Sequence, residues 1–228
     1  MYIPEFLLPA LAAEGIYLSD YHFHSYNPNP RSGGEIPSGM EQIRNGYSSS
    51  IQFNLDEYNQ RTSPDFNDHR HAAWLATFVD TMIDHGIDDL GYFQIFSTIY
   101  SGGTHKKSSF LGIDMNYIDE TGIVKPSLLF RQLLREAPGS LLVHDDLDST
   151  DTVSVFTLTD GQDYCVYVAN FDESGRTAHV DLVGTGGGGF AGKDYLYTRK
   201  VIDATHGNPF AVESRIEQVL GPIWEATV

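Results

Sequence analysis

The chain has 228 residues, of which 31 are acidic and 14 basic, giving a formal net charge of −17. Its 41% hydrophobic content supports a folded core, whereas the negative charge disfavours nucleic acid and anionic lipid as partners. No run of 18 apolar residues occurs, and residues 1–13 lack a basic segment, so neither a membrane span nor a signal peptide is predicted and the compartment stays open. The lone Cys165 excludes a disulfide framework.

The first part of the chain alternates between helical and extended patterns. We predict a helix over residues 4–14, a strand over 16–23, a loop over 25–50 rich in Pro, Gly, Asn and Ser, and a strand over 51–55. Apolar residues then recur every three or four positions from Ala72 to Ile83, which predicts a helix ended by Gly86. A strand over 90–100 and a helix over 125–136 follow. This order is typical of an α/β unit with parallel strands.

From residue 140 the pattern changes to short β segments separated by turns. The predicted strands cover residues 153–158, 164–171, 178–183 and 195–202. We therefore predict two domains, an α/β domain over residues 1–138 and an all-β domain over residues 139–228. About three parallel strands are expected in the first domain, which is too few to close a barrel.

Two carboxylates stand at the end of the strand that begins at Ile51. Strand interiors disfavour Asp and Glu, so Asp56 and Glu57 are expected to face something positive, reacting or solvent-filled. The C-terminal ends of parallel barrel strands are where active sites are built. Strand alternation predicts that only one of the two faces such a site.

Several segments occur in the same order as in the C-terminal half of clan A glycoside hydrolases, in particular family 39, the β-xylosidases and α-L-iduronidases. The chain resembles that group in HSYNP at 24–28, LDEYN at 55–59, residues 92–97, residues 110–126 with their Lys-Pro element, and residues 201–210. The resemblance implies a partial (β/α)8 barrel, about strands six to eight, followed by a β-sandwich. It also implies hydrolysis of a xyloside-like β-glycosidic bond with retention, on a glycoside or oligosaccharide, without a cofactor.

The same resemblance suggests roles for individual residues. Glu57 corresponds to the nucleophile, and the family's acid/base glutamate, which follows barrel strand four, has no counterpart in these 228 residues, so the chain is expected to be inactive alone. Exposed barrel edges and an apolar inward face also predict self-association. The predicted substrate-binding residues are His22, His24, Tyr26, Tyr58, Asn59 and Gln94.

Two other functions stay open at the level of the sequence. His22 and His24 lie two apart on a strand and so share a face, an arrangement that metal-dependent hydrolases use, although Gln94 on a later strand is a poor further ligand. Alternatively, the chain is a carbohydrate-binding or scaffold module without catalysis. No metal ligand set is assigned.

Overall fold

A computed structural model describes residues 3–26, 29–31, 36–59, 69–92, 111–112, 123–124, 126–139, 141–144, 153–171, 174–175, 177–180, 194–205, 211–218 and 224–227. Within these ranges the helices are α1 (Ile3–Ala13), α2 (Ile36–Gly46), α3 (His69–Asp84) and α4 (Pro126–Arg135). The strands there are β1 (Asp20–Tyr26), β2 (Gln52–Asn59), β3 (Asp89–Tyr92), β4 (Leu111–Gly112), β5 (Ile123–Val124), β6 (Leu141–His144), β7 (Val153–Thr159), β8 (Tyr164–Asn170), β9 (Thr177–Val180), β10 (Asp194–Val201), β11 (Ala211–Gln218) and β12 (Trp224–Thr227). Of the helices described, none has the length and apolar character needed to cross a membrane.

A parallel sheet forms the centre of the first part of the chain. Its strand order is β1-β2-β3, and both neighbouring pairs are parallel. The connections contain α2 and α3, so the chain runs β-α-β-α-β as parallel strands require. The predicted α/β unit is therefore present, while its assignment to a partial (β/α)8 barrel stays a prediction.

Helix α2 lies inside the segment that the sequence predicted to be a loop. Met40 and Ile43 of α2 and the following Tyr47 are buried beside Leu8 of α1 and Phe53 of β2, so this helix covers one side of the sheet. The prediction of a loop over residues 25–50 is therefore wrong in its second half. The prolines, glycines and serines of this segment have low helix propensity, which is why the sequence predicted a loop. In the structure, packing of the apolar side chains against the sheet stabilises the helix instead.

Helix α3 carries the core of the described fold. Trp74, Phe78 and Met82 on this helix are fully buried, and the cluster they form extends to Phe156 of β7 and Tyr167 of β8. The Phe156 and Tyr167 rings stack with their centroids 4.6 Å apart. The parallel and antiparallel sheets thus share one apolar core, across the boundary predicted at residues 138 and 139. That boundary stays a prediction.

The second part of the chain is antiparallel. Three sheets are described, with the orders β6-β7-β8, β10-β11 and β12-β9, and all their pairs are antiparallel. Strands β7 and β8 match the predicted segments 153–158 and 164–171, whereas β6, β11 and β12 were not predicted. Whether these sheets form a sandwich stays a prediction.

A buried ion pair links the segment after β1 to both parts of the core. Arg31 Nη1 donates to Asp80 Oδ2 of α3 at 3.2 Å, and the two side chains are 6% and 0% exposed. Arg31 Nη2 donates at 2.8 Å to the Val153 carbonyl and to Ser154 Oγ, both on β7. One guanidinium therefore joins a loop, a helix and a strand.

Candidate functional site

One face of β1 is polar and the other is apolar. His22, His24 and Tyr26 alternate along the strand and share a face, whereas Tyr21 and Phe23 between them pack against the core. The two imidazole side chains are about half exposed, at 49% and 53%. Polar groups at the C-terminal half of a parallel strand are thus presented to solvent.

The Glu57 carboxylate lies against this polar face. Tyr26 Oη donates a hydrogen bond to Glu57 Oε2 at 2.7 Å, and His24 Nδ1 lies 3.3 Å from the same oxygen. The Glu57 side chain is 35% exposed. A carboxylate held by a phenol and an imidazole at the end of β2 has a fixed orientation and still reaches solvent.

A bulge in β2 precedes this carboxylate. Phe23 pairs with Leu55 and His24 pairs with Glu57, so Asp56 is an extra residue relative to β1. The pairing with β3 shifts at the same place, between Leu55 and Tyr58. Bulges are rare between parallel strands and are over-represented next to active sites, where they redirect side chains.

The bulge changes which side chains share a face. Asp56 contacts His22 and Glu57 contacts His24, so both carboxylates lie against the polar face of β1. The prediction from strict alternation, that only one of the two could do so, is therefore wrong. Alternation assumes one residue per partner, and the extra residue breaks that count.

His22 is held between two carboxylates. Its Nδ1 lies 2.8 and 3.0 Å from the two Asp56 oxygens, its Nε2 lies 3.0 Å from Asp20 Oδ1, and Asn54 Nδ2 lies 3.3 Å from the same Nε2. The hydrogen bond to Asp56, supported by Asp20, holds the pKa of His22 above its usual value, since both acceptors favour the imidazolium.

Asp20 has the opposite shift. The hydrogen bond from Ser19 Oγ, at 2.5 Å, and the contact with His22 lower the pKa of Asp20. Ser19, Asp20, His22 and Asp56 therefore form one connected polar chain across β1 and β2. Asp20 was not among the predicted site residues, although its spacing of two from His22 is a signal that indicates it.

Gly91 of β3 lies directly against the bulge. A Cβ atom at this position would sit 2.9 Å from the carbonyl carbon of Asp56 and closer still to its oxygen. These are distances that real Cβ atoms do not show, so the backbone of β2 occupies the space that a side chain at residue 91 would need. Only glycine allows this approach without movement of one strand.

Tyr58 and Asn59 are not on the polar face, and their predicted contact with substrate stays a prediction that their burial disfavours. Tyr58 is fully buried on the helix side, where its ring stacks on Phe78 with centroids 4.9 Å apart, and burial raises its pKa to about 12 against the opposing charge of Arg131. Asn59 is also fully buried, with its Oδ1 3.2 Å from Nε2 of His71. Gln94 lies outside the described residues.

The His22 and His24 imidazoles each face a carboxylate. Among the side chains that the structure describes, no group of three or more His, Cys, Asp or Glu is arranged to hold a metal ion. The observed side-chain contacts of the two histidines include Asp56 for His22 and Glu57 for His24.

The open face of the parallel sheet is polar, whereas the sequence predicted an apolar face. Gln52, Asn54 and Asp56 of β2 lie there beside Asp20 and His22 of β1, and all are at least partly exposed. The apolar side chains of both strands point to the helices instead. The expected apolar inward face is thus wrong, and self-association through barrel edges stays a prediction.

Solved glycoside hydrolase structures share this fold. A monomeric β-xylosidase from Caulobacter crescentus CB15 matches 100% of the chain over 57% of its own length, with a TM-score of 0.62 and 14% identity. A GH39 enzyme from Xanthomonas axonopodis pv. citri matches 100% of the chain over 55% of its length, with a TM-score of 0.53 and 14% identity. A β-porphyranase of glycoside hydrolase family 86 from Bacteroides plebeius, a human gut bacterium, matches 96% over 40% of its length, with a TM-score of 0.58 and 14% identity.

These similarities establish the fold. The predicted resemblance to glycoside hydrolases, family 39 included, is confirmed at that level. The chain spans between about a third and three fifths of the length of the structures it matches. No protein-family model matches the chain. No curated protein matches its sequence significantly.

Proposed function

We propose that this chain carries the nucleophile half of a retaining glycoside hydrolase site, with Glu57 as the nucleophile. The observation that supports the proposal is the placement of the Glu57 carboxylate, which accepts from Tyr26 at 2.7 Å and lies at the C-terminal end of a parallel strand. The shared fold with a β-xylosidase and a GH39 enzyme makes a β-xyloside-like bond the first substrate to test.

The chemistry of such a site follows from the carboxylate. In the first step a Glu57 oxygen attacks the anomeric carbon, the new O–C bond forms as the C–O bond to the leaving group breaks, and the electron pair passes to the leaving oxygen. Water then attacks the same carbon, the bond to Glu57 breaks with its electron pair returning to the carboxylate, and the water loses a proton to the group that acts as the acid in the first step, so that two inversions give net retention. The Tyr26 hydroxyl donates to the carboxylate and fixes its orientation.

The leaving oxygen also needs a proton, and in retaining enzymes a second carboxyl group about 5–5.5 Å away supplies it. Asp56, adjacent in the sequence, has both oxygens within hydrogen-bond distance of His22 Nδ1, which disfavours that role. We expect the 228-residue chain to be inactive on glycosides with poor leaving groups. Activated aryl glycosides, whose leaving group departs without a proton, should react with Glu57.

Covalent trapping tests the nucleophile without a proton donor. The chain is incubated with 2,4-dinitrophenyl 2-deoxy-2-fluoro-β-xyloside and with the corresponding glucoside and galactoside, and the intact mass and peptide masses are measured. The expected result is one added sugar on the peptide that contains Glu57, with release of one dinitrophenolate. Glu57→Gln should abolish the label, and Glu14→Gln, at an exposed position after α1, should leave it unchanged.

Two outcomes would overturn the proposal. The first is a label on another residue, and the second is no label with any of the three sugars. If the unlabelled chain still binds xylo-oligosaccharide, measured by calorimetry, a carbohydrate-binding function without catalysis replaces the proposal.

A further inference from the structure

The extra residue in β2 decides which side chain faces solvent. Phe53 and Leu55 point to the helices, so a regular strand would also turn residue 57 toward the helices and residue 58 toward the open face. The structure has the reverse arrangement, in which Glu57 contacts His24 and Tyr58 stacks on Phe78. One added residue shifts the alternation by one and exchanges the two positions.

The added residue needs space, and β3 supplies it at Gly91. Leu90 pairs with Leu55 and Tyr92 pairs with Tyr58, so Gly91 alone stands opposite both Asp56 and Glu57. An ideal Cβ at Gly91 would meet three backbone atoms of Asp56, including its Cα at 3.3 Å. The φ angle of Gly91 is not in the left-handed region, so the requirement for glycine here is steric and not conformational.

We propose that Gly91 is a positioning residue for Glu57: its missing side chain accommodates the bulge at Asp56, and the bulge turns Glu57 out of the core and against Tyr26 and His24. The kinetic consequence of this proposal rests on the function proposed above, whereas its structural consequence does not.

The proposal predicts a specific compensation. With Asp56 deleted, the pairings Phe23 to Leu55 and His24 to Glu57 become continuous, and Glu57 stands alone opposite Gly91. The carbonyl that a side chain at residue 91 would meet is then removed, so alanine should fit. Deletion of Asp56 should therefore rescue a Gly91→Ala variant. If alanine at residue 91 were harmful for a reason other than the bulge, this deletion would not rescue it.

The experiment compares four proteins, which are the wild type, Gly91→Ala, Gly91→Ala with Asp56 deleted, and Gly46→Ala as the matched control. A Cβ at Gly46 would meet nothing within 4 Å, so this control adds the same methyl group without a clash. The readouts are the rate of Glu57 labelling by the fluoroxyloside and the NMR titration of the His22 imidazole, which reports its contact with Asp56.

The expected results differ between the variants. Gly91→Ala should slow labelling about 100-fold, the effect of a nucleophile displaced by about 1 Å, and should return the pKa of His22 toward its usual value of about 6.5. Deleting Asp56 in that background should restore the labelling rate to within about tenfold of wild type but not the His22 shift. Gly46→Ala should match wild type within about twofold.

Several results would overturn the inference. One is a Gly91→Ala protein that labels at the wild-type rate and keeps the His22 shift. If Gly91→Ala does not fold, the double variant decides, because a double variant that is equally unfolded or unreactive contradicts the compensation. An unlabelled wild type would contradict the proposed function alone, and the His22 titration would still test the bulge.

Discussion

Removing the charge of Asp80 should destabilise the chain severely. The carboxylate is fully buried and pairs with Arg31, whose guanidinium is 6% exposed. Asp80→Asn keeps the shape of the side chain and removes its charge. The Arg31 cation then keeps its hydrogen bonds to the Val153 carbonyl and to Ser154 Oγ on β7 but loses its buried counter-ion at residue 80.

The magnitude follows from the cost of a buried charge. Removing one partner of a buried ion pair lowers the free energy of unfolding by about 3–5 kcal/mol, because the desolvation of the remaining ion is no longer offset. In a protein of this size that loss corresponds to a fall in melting temperature of about 6–20 °C. The exposed pair between Glu136 and Lys200 provides the control, and Glu136→Gln should cost no more than about 1 kcal/mol.

Urea unfolding followed by tryptophan fluorescence measures both values, since Trp74 lies in the same core. Arg31→Met combined with Asp80→Leu should be more stable than Asp80→Asn, because an apolar pair needs no compensating charge. A loss below about 1 kcal/mol for Asp80→Asn, equal to that of Glu136→Gln, would refute the description of this pair as buried and coupled.

Three further results are expected. The pKa of His22 is raised in the folded state, so its ion pairs stabilise the fold fully below the unfolded pKa of about 6.5. The difference in unfolding free energy between the wild type and His22→Gln should therefore fall as the pH rises through the folded pKa. Urea unfolding from pH 5.5 to 9 measures this difference, and a constant value would contradict the prediction. Tyr26→Phe should slow labelling of Glu57 by about 10- to 150-fold, from the 1.5–3 kcal/mol of a hydrogen bond to a charged group, and an unchanged rate would remove Tyr26 from the site. Phe156→Ala should cost about 3–5 kcal/mol and reduce hydrogen-exchange protection in α3 as well as in β7, whereas loss confined to β7 would mean that the core is not shared.

Local periodicity predicted the elements that bury one continuous row of apolar side chains. Helix α3 follows from apolar residues repeated over its 16 residues, and the structure buries most of them. Helix α2 was missed because, among the side chains described there, its buried side is marked by Met40, Ile43 and the following Tyr47 within a segment rich in turn-forming residues. Strands β7 and β8 were predicted because alternating residues bounded by a turn at Gly161 are a local signal.

The site was only partly predictable because its geometry depends on a neighbouring strand. His22, His24, Tyr26 and Glu57 share a face as expected from their positions at strand ends. The bulge is different, since the space for it comes from Gly91 on β3 and no pattern within β2 indicates it. Tyr58 was assigned to the substrate from its adjacency to Glu57, and the shift in alternation places it in the core instead.

The two-sided character of the parallel sheet restricts how the chain can collapse. A helix that packed on the wrong side would have to cover Asp20, Asp56 and Glu57, and each dehydrated carboxylate would cost several kcal/mol. Wrong-handed crossovers are therefore penalised by hydration as well as by strand twist. The carboxylates of the proposed site would in this way also act during folding, because their hydration disfavours packing of α2 and α3 on the polar face of the sheet.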